Sequence, residues 1–197
     1  MSRVIKTISA DGAAASGSGL TETQVDARIA AKTPWTFISQ VDVSSSTGYV
    51  ELPLEGNYTT YKLLGDQISG TTANYPYIRL VRASGGITGG YGYGFWYGDT
   101  GGTYTNAQGD SQINITNTSS DWDKNFEFVF TTTENSTRPV YRWTYGGGTS
   151  TYDPKMAVGG GQLNITTSIA ITGIQCHMNT GNISRGSFKL YGLNDHA

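Results

Sequence analysis

The sequence predicts an all-β fold: an antiparallel, jelly-roll-like β-sandwich behind an extended N-terminal arm and one short helix. Three observations lead there. From Trp35 onward, short runs rich in aromatic and β-branched residues alternate with clusters of Gly, Asn, Ser and Thr, the pattern of strands and turns. Within several runs the large apolar side chains recur at every second position, as in Phe126, Phe128 and Phe130, which is the period of a strand. Beyond residue 33 no second helix is legible, which favours sheet packed on sheet.

Taken in order, Arg3 to Ile8 reads as a short lone strand, and the Gly, Ala and Ser that follow it to residue 19 read as extended chain. Residues 20–32 form the helix. Thr21 can cap it, with Gln24 completing a capping box. Leu20, Val25 and Ile29 form a thin apolar stripe. An isolated helix of this length is marginal in water, so it is expected either to fray or to pack against copies of itself. Pro34 ends it, and the chain divides into an arm over 1–33 and a sandwich over 34–197.

The sandwich strands are expected at Trp35–Val43, Tyr49–Leu52, Thr59–Ile68, Tyr75–Arg82, Gln112–Ile115, Asn125–Thr133, Arg138–Tyr145 and Gly186–Leu193. Leu163 to Met178 is a long β-branched run with a break near Thr172-Gly173, and Gly146-Gly-Gly-Thr-Ser reads as a turn. Between the two blocks of strands lies Gly85 to Thr105, a mixture of glycine and aromatic residues. Tyr91, Tyr93 and Phe95 alternate with glycines, so rings occupy one face of a strand and bare backbone the other. A bare face lets a second backbone or a ligand come close. Trp96-Tyr97-Gly98-Asp99 then reads as a strand end opening into a polar loop.

Composition narrows the class. Charged residues are 14% of the 197, against about a quarter in an average protein, and Gly, Thr, Ser, Asn and Tyr take their place. That is the profile of an extracellular or virion β-protein. The net charge is −2 without a basic block, so nucleic acid is not an expected partner. No apolar run approaches the roughly 20 residues needed to span a bilayer, so no membrane insertion is expected. The N-terminus lacks a signal-peptide apolar core. Cys176 is the single cysteine. With Ile174 and Met178 as alternate neighbours, it is expected as an inward-facing, inert thiol. The six Asn-X-Ser/Thr triplets, at Asn57, Asn114, Asn117, Asn135, Asn164 and Asn182, follow from the abundance of Asn, Ser and Thr.

Groups for catalysis are sparse, and neither an enzyme activity nor a cofactor is expected. Cys176 and His177 are adjacent, and adjacent strand residues point to opposite faces, whereas a nucleophile and its base must converge. One cysteine and two histidines are too few for a zinc site. Acid pairs of a glycosidase can be written as Asp99 with Asp110 or Asp121 with Asp123, but aspartates in such loops are ordinarily turn formers. Asp121-Trp122-Asp123 offers oxygens for calcium without the spaced acidic loop that binds it, so no metal is expected.

Binding has the better residues. Tyr97, Asp99, Tyr104, Asn106, Asp121, Trp122 and Asp123 fall in the two loops expected on either side of Gln112–Ile115. Rings stack on sugar faces while amides and carboxylates bond the hydroxyls. The plainer reading is that Tyr91, Tyr93 and Phe95 are core and the loop aromatics pack against neighbouring protomers.

The end of the chain, Ile171-Thr-Gly-Ile-Gln-Cys176 followed by Gly181-Asn-Ile-Ser-Arg-Gly-Ser-Phe-Lys-Leu-Tyr-Gly-Leu193, resembles the C-terminal strands of β-sandwich proteins from tailed-bacteriophage virions, marine and cyanobacterial phages included. Tyr58-Thr-Thr-Tyr-Lys-Leu63 and Ile78-Arg-Leu-Val-Arg82 are similar to earlier strands of that group. The resemblance spans residues 35–193 and carries no fixed catalytic residues. It implies a virion structural protein, assembled in the bacterial host cytoplasm and commonly trimeric. Its arm, with Val4, Ile5, Ile8, Leu20, Val25 and Ile29, would dock on other virion proteins and on copies of itself. The leading expectation is a tail-fibre or tail-tip adhesin that contacts the host surface, with a surface glycan as candidate ligand. The alternatives are a capsid decoration or head-fibre protein, and a bacterial carbohydrate-binding module.

Overall fold

The computed structural model describes residues 34–98, 103–116, 123–132, 138–148, 154–165 and 169–193. The expected arm, the helix over 20–32 and the six anchoring residues lie outside them. The described residues form thirteen strands and no helix. In order these are β1 (Trp35–Val43), β2 (Tyr49–Pro53), β3 (Thr60–Gly70), β4 (Pro76–Arg82), β5 (Gly85–Gly86), β6 (Tyr91–Gly98) and β7 (Thr103–Asp110). There follow β8 (Ile113–Asn114), β9 (Lys124–Thr131), β10 (Val140–Gly148), β11 (Pro154–Leu163), β12 (Gly173–Met178) and β13 (Ile183–Leu193).

Two antiparallel sheets pack as a sandwich. The larger has the order β1-β13-β3-β9-β10-β11-β6-β7. In the smaller, β12 lies between β2 and β4, and the short β5 and β8 both pair with β4. The chain repeatedly crosses from one sheet to the other, at β1 to β2, β3 to β4 and β12 to β13, which gives the jelly-roll character. β13 is seated between β1 and β3, just as β12 is between β2 and β4.

Alternation explains the core. Leu63, Phe128, Phe188 and Leu190 of the larger sheet meet Leu52, Ile78, Leu80 and Ile174 of the smaller, all fully buried. Tyr91, Tyr93 and Phe95 are core, as the plainer reading of the sequence has it. Cys176 lies between buried Ile174 and Met178, and burial pushes its thiol pKa up. A thiol reagent should therefore leave the native protein unmodified and label Cys176 only on unfolding in guanidinium. Rapid labelling of folded protein would contradict this burial.

Besides the two-residue β5, two strands are absent from the sequence expectation. Residues 103–110, expected as polar loop, form edge strand β7, and Pro154–Leu163 forms β11. Each departs from the usual strand signature for a physical reason. β7 has a neighbour on one side only and little apolar surface to bury. β11 carries small residues because large ones on its neighbours cover it. Ala157, Gly159 and Gly161 stand opposite Tyr145, Trp143 and Tyr141 of β10 and opposite Tyr97, Phe95 and Tyr93 of β6. Two rows of three rings lean over one row of small residues, so large and small positions interdigitate. Gly146 to Gly148, expected as a turn, instead extends β10.

Candidate functional site

The alternation that turns Tyr91, Tyr93 and Phe95 inward turns Gly92, Gly94, Trp96 and Gly98 outward. On that outer face β7, β6, β11 and β10 lie side by side. In register, Tyr104, Trp96, Val158 and Thr144 make one row across them. Asn106, Gly94, Gly160 and Arg142 make the next. Gly92, Gln162 and Val140 continue the series.

The glycine positions sink into a shallow trough of about 550 Å³, within the range of small-ligand sites. Gly92, Gly94 and Gly160 are its floor. Asn106 and Gln108 stand on the β7 side, and Gln162 and Val140 on the other. Tyr104 closes one end. Its ring leans over Gly94, where a β-carbon would collide with the hydroxyl. Beside it stands Trp96, with ring centroids 5.3 Å apart. Trp96 is 58% exposed and Tyr104 51%, so the two rings form a shelf in solvent. At the far end the Asn164 amide donates to the Gly90 carbonyl at 2.8 Å. Gly90 has φ +85°, a conformation that favours glycine.

Hydrogen bonds tie together the strands beneath the trough. The Tyr93 hydroxyl donates to Asp110 at 2.7 Å, and burial together with that carboxylate holds the phenol protonated. The Tyr141 hydroxyl lies 3.1 Å from the Gly92 carbonyl and 3.0 Å from that of Gln162, tying β10 to both floor strands. The Leu80 amide of the smaller sheet donates to the Tyr91 hydroxyl at 2.9 Å, so β6 is fastened across the sandwich.

The expected glycan residues divide. Tyr104 and Asn106 border the trough, from a strand rather than a loop. Tyr97 lies on the opposite, inward face of β6, half-buried with its ring 6.0 Å from Phe95; it has the parity of the core tyrosines. Asp123 is elsewhere, where β3 and β13 both break register. Its carboxylate accepts from Arg185 at 2.6 and 2.8 Å and from the Ser69 hydroxyl. Asp99, Asp121 and Trp122 lie outside the described residues. The sequence expectation omits Trp96, Gln108, Gln162 and Asn164. Parity alone places Trp96 on the glycine face, whereas Gln162 and Asn164 reach the trough only through the pairing of β11 with β6.

Asp123 thus has a structural bond. The Ser69 hydroxyl and then the Arg185 guanidinium hold its carboxyl below the usual value. A depressed folded pKa gives stability that is present above the unfolded value and lost as pH falls through the folded one. Asp123→Asn should therefore cost stability at pH 7 and little at pH 2. The side chains are 62% and 35% exposed, so solvent screening keeps the difference under about 1 kcal/mol. Equal destabilisation in chemical melts at both pH values would refute the assignment.

Cys176 and His177 do not cooperate. The thiol faces the core, while the imidazole packs beside Tyr77 at 5.5 Å. Among the described residues, no cluster of three or more His, Cys, Asp and Glu side chains is arranged to hold a metal ion. Comparison of the chain finds no matching family model, no matching curated protein and no matching solved structure.

Proposed function

We propose that this chain is a non-enzymatic tail-fibre or tail-tip adhesin of a tailed-bacteriophage virion, whose host-contact surface is the trough and ring shelf of the larger sheet. The observation that carries this reading is the outer face itself. Two exposed rings stand beside a glycine-floored hollow edged by side-chain amides, all but Asn164 on paired strands. Rings offer stacking faces and amides offer directional hydrogen bonds, the combination that saccharides need. Sites built on strands hold their geometry better than sites on loops. A shallow site binds weakly, and several copies on one particle multiply a weak contact through avidity. The sequence resemblance of residues 35–193 supplies the virion setting.

A second reading rests on the apolar part of the same face. Trp96, Tyr104, Val158 and Met156 are all exposed, and such a patch also suits a neighbouring protein. On that reading the chain is a capsid decoration or head-fibre protein.

Immunogold labelling of intact particles with an antibody against residues 35–197 separates the two. Label on the tail supports the adhesin, and label over the head overturns it. On particles carrying Trp96→Ala or Tyr104→Ala, adsorption to host cells should fall by about tenfold, the loss of roughly one stacking contact. Unchanged adsorption would remove this face from the host contact.

A further inference from the structure

Resting on the reading of this face as a saccharide site, we infer that the trough takes an uncharged glycan chain and discriminates against acidic ones. Apart from the tyrosines, the polar side chains that border it are Asn106, Gln108, Gln162 and Asn164. All four are carboxamides, and all four are exposed. Among the described residues, no Asp, Glu, Lys or Arg lines the hollow. A carboxamide donates and accepts, which matches hydroxyl and acetamido groups that also do both. It brings no charge to a carboxylate or sulfate, whose recognition characteristically uses arginine forks.

The rest of the sheet makes the contrast. A second hollow of about 430 Å³ on the same sheet is bordered by Asp66, Glu127 and Lys189. The protein therefore has charges to place on this surface, and the trough is the part without them. Among the described residues, Arg142 stands next to Gly160 on β10 with its side chain exposed, and Asp110 at the end of β7 is engaged by the Tyr93 hydroxyl. Arg142 borders the second row from outside the hollow.

The floor determines how the chain lies. Gly92 on β6 and Gly160 on β11 leave backbone as the contact surface, beside the Tyr104 ring that covers Gly94, so a flat pyranose ring can settle close to the sheet. Asn106 and Gln162 then face it from opposite sides, and Tyr104 meets its end. Gly92 offers a direct probe. A β-carbon there would be 3.7 Å from the Gln162 carbonyl and 3.9 Å from that of Ala107, ordinary contact distances. Valine also suits a strand. Gly92→Val should fold and fill the hollow.

The test is calorimetric titration of the full chain with two sets of hexasaccharides. One set is neutral: mannohexaose, cellohexaose and N-acetylchitohexaose. The other is acidic: hexagalacturonate and hexasialic acid. Tryptophan fluorescence, compared between the parent and Trp96→Phe, gives a second readout. The expected result is binding by a neutral chain that is insensitive to salt and unchanged in Arg142→Gln. In Gly92→Val and in Asn106→Ala the dissociation constant should rise by about tenfold or more, with melting temperatures near that of the parent. Binding confined to acidic chains, falling with salt and lost in Arg142→Gln, would overturn the inference and leave the saccharide reading standing. Neutral binding that survives both trough variants would also overturn it. Should no chain of either set bind, the saccharide reading itself falls.

Discussion

Trp143→Ala is expected to lower the unfolding free energy by about 3–5 kcal/mol, seen as a fall of about 6–20 °C in melting temperature for a domain of this size. Trp143 is among the largest fully buried side chains. Its ring centroid lies 6.0 to 6.4 Å from those of Phe95, Tyr93, Tyr141 and Phe128. Its indole N–H donates to the Ile115 carbonyl at 2.9 Å, beside the short strand that pairs with the smaller sheet. Alanine would therefore open a cavity between the rows of rings and leave a buried acceptor unsatisfied. Trp143→Phe separates the two effects. It keeps most of the volume and loses the hydrogen bond, so it should cost about 1–3 kcal/mol. A Trp143→Ala protein within 1 kcal/mol of the parent in urea unfolding, an outcome below the range of about 3–5 kcal/mol for such truncations, would contradict the packing described.

Gly161→Ala should be nearly as damaging although it adds one methyl group. A β-carbon there points inward against the Gly92 carbonyl and the Tyr93 backbone. Backbone cannot swing aside as a side-chain tip can. β11 and β6 must separate, and the Tyr141 hydroxyl loses its place between them. The expected cost is about 3 kcal/mol, the top of the usual overpacking range. Because the same two strands form the trough floor, saccharide binding should weaken with it. Gly146→Ala is the control: a β-carbon there meets nothing within 4 Å, so stability should change by less than about 1 kcal/mol. Equal melting temperatures for the two variants would refute the strand packing proposed for Gly161.

These two variants also show what the sequence could reveal and what it could not. Period two was legible wherever one face met the core, so Phe126, Phe128 and Phe130, the tyrosines of β6, and Phe188 with Leu190 all announce their direction. Alternation also implies the glycine face opposite those tyrosines. What it hides is the neighbour. Gly159 and Gly161 look like turn residues because glycine alone has low strand propensity. They belong to a strand because rings from β10 and β6 cover them, which is a fact of pairing across tens of residues. Edge strand β7 is hidden for the opposite reason: Thr103 to Asp110 is mostly polar, and its strand character comes from the ladder with β6. Half of the candidate site, Gln162 and Asn164, depends on that same long-range pairing. Tyr104 and Asn106 were identifiable by residue type, although their setting on a strand was not.

The placement of β13 between β1 and β3 bears on how the protein is made. The first strand of the larger sheet cannot join the rest through its own neighbours in sequence; it waits for residues 183–193. The smaller sheet has the same gap, filled by residues 173–178 between β2 and β4. Until those residues emerge, β1 and β2 have no partner strand, and β3 and β4 each keep one open edge. Open edges pair indiscriminately, and chains held in that condition are prone to aggregate. Completion of both sheets therefore waits for residues 173–193. A message or protease cut that removes the last two strands would leave an adhesive fragment rather than a smaller domain.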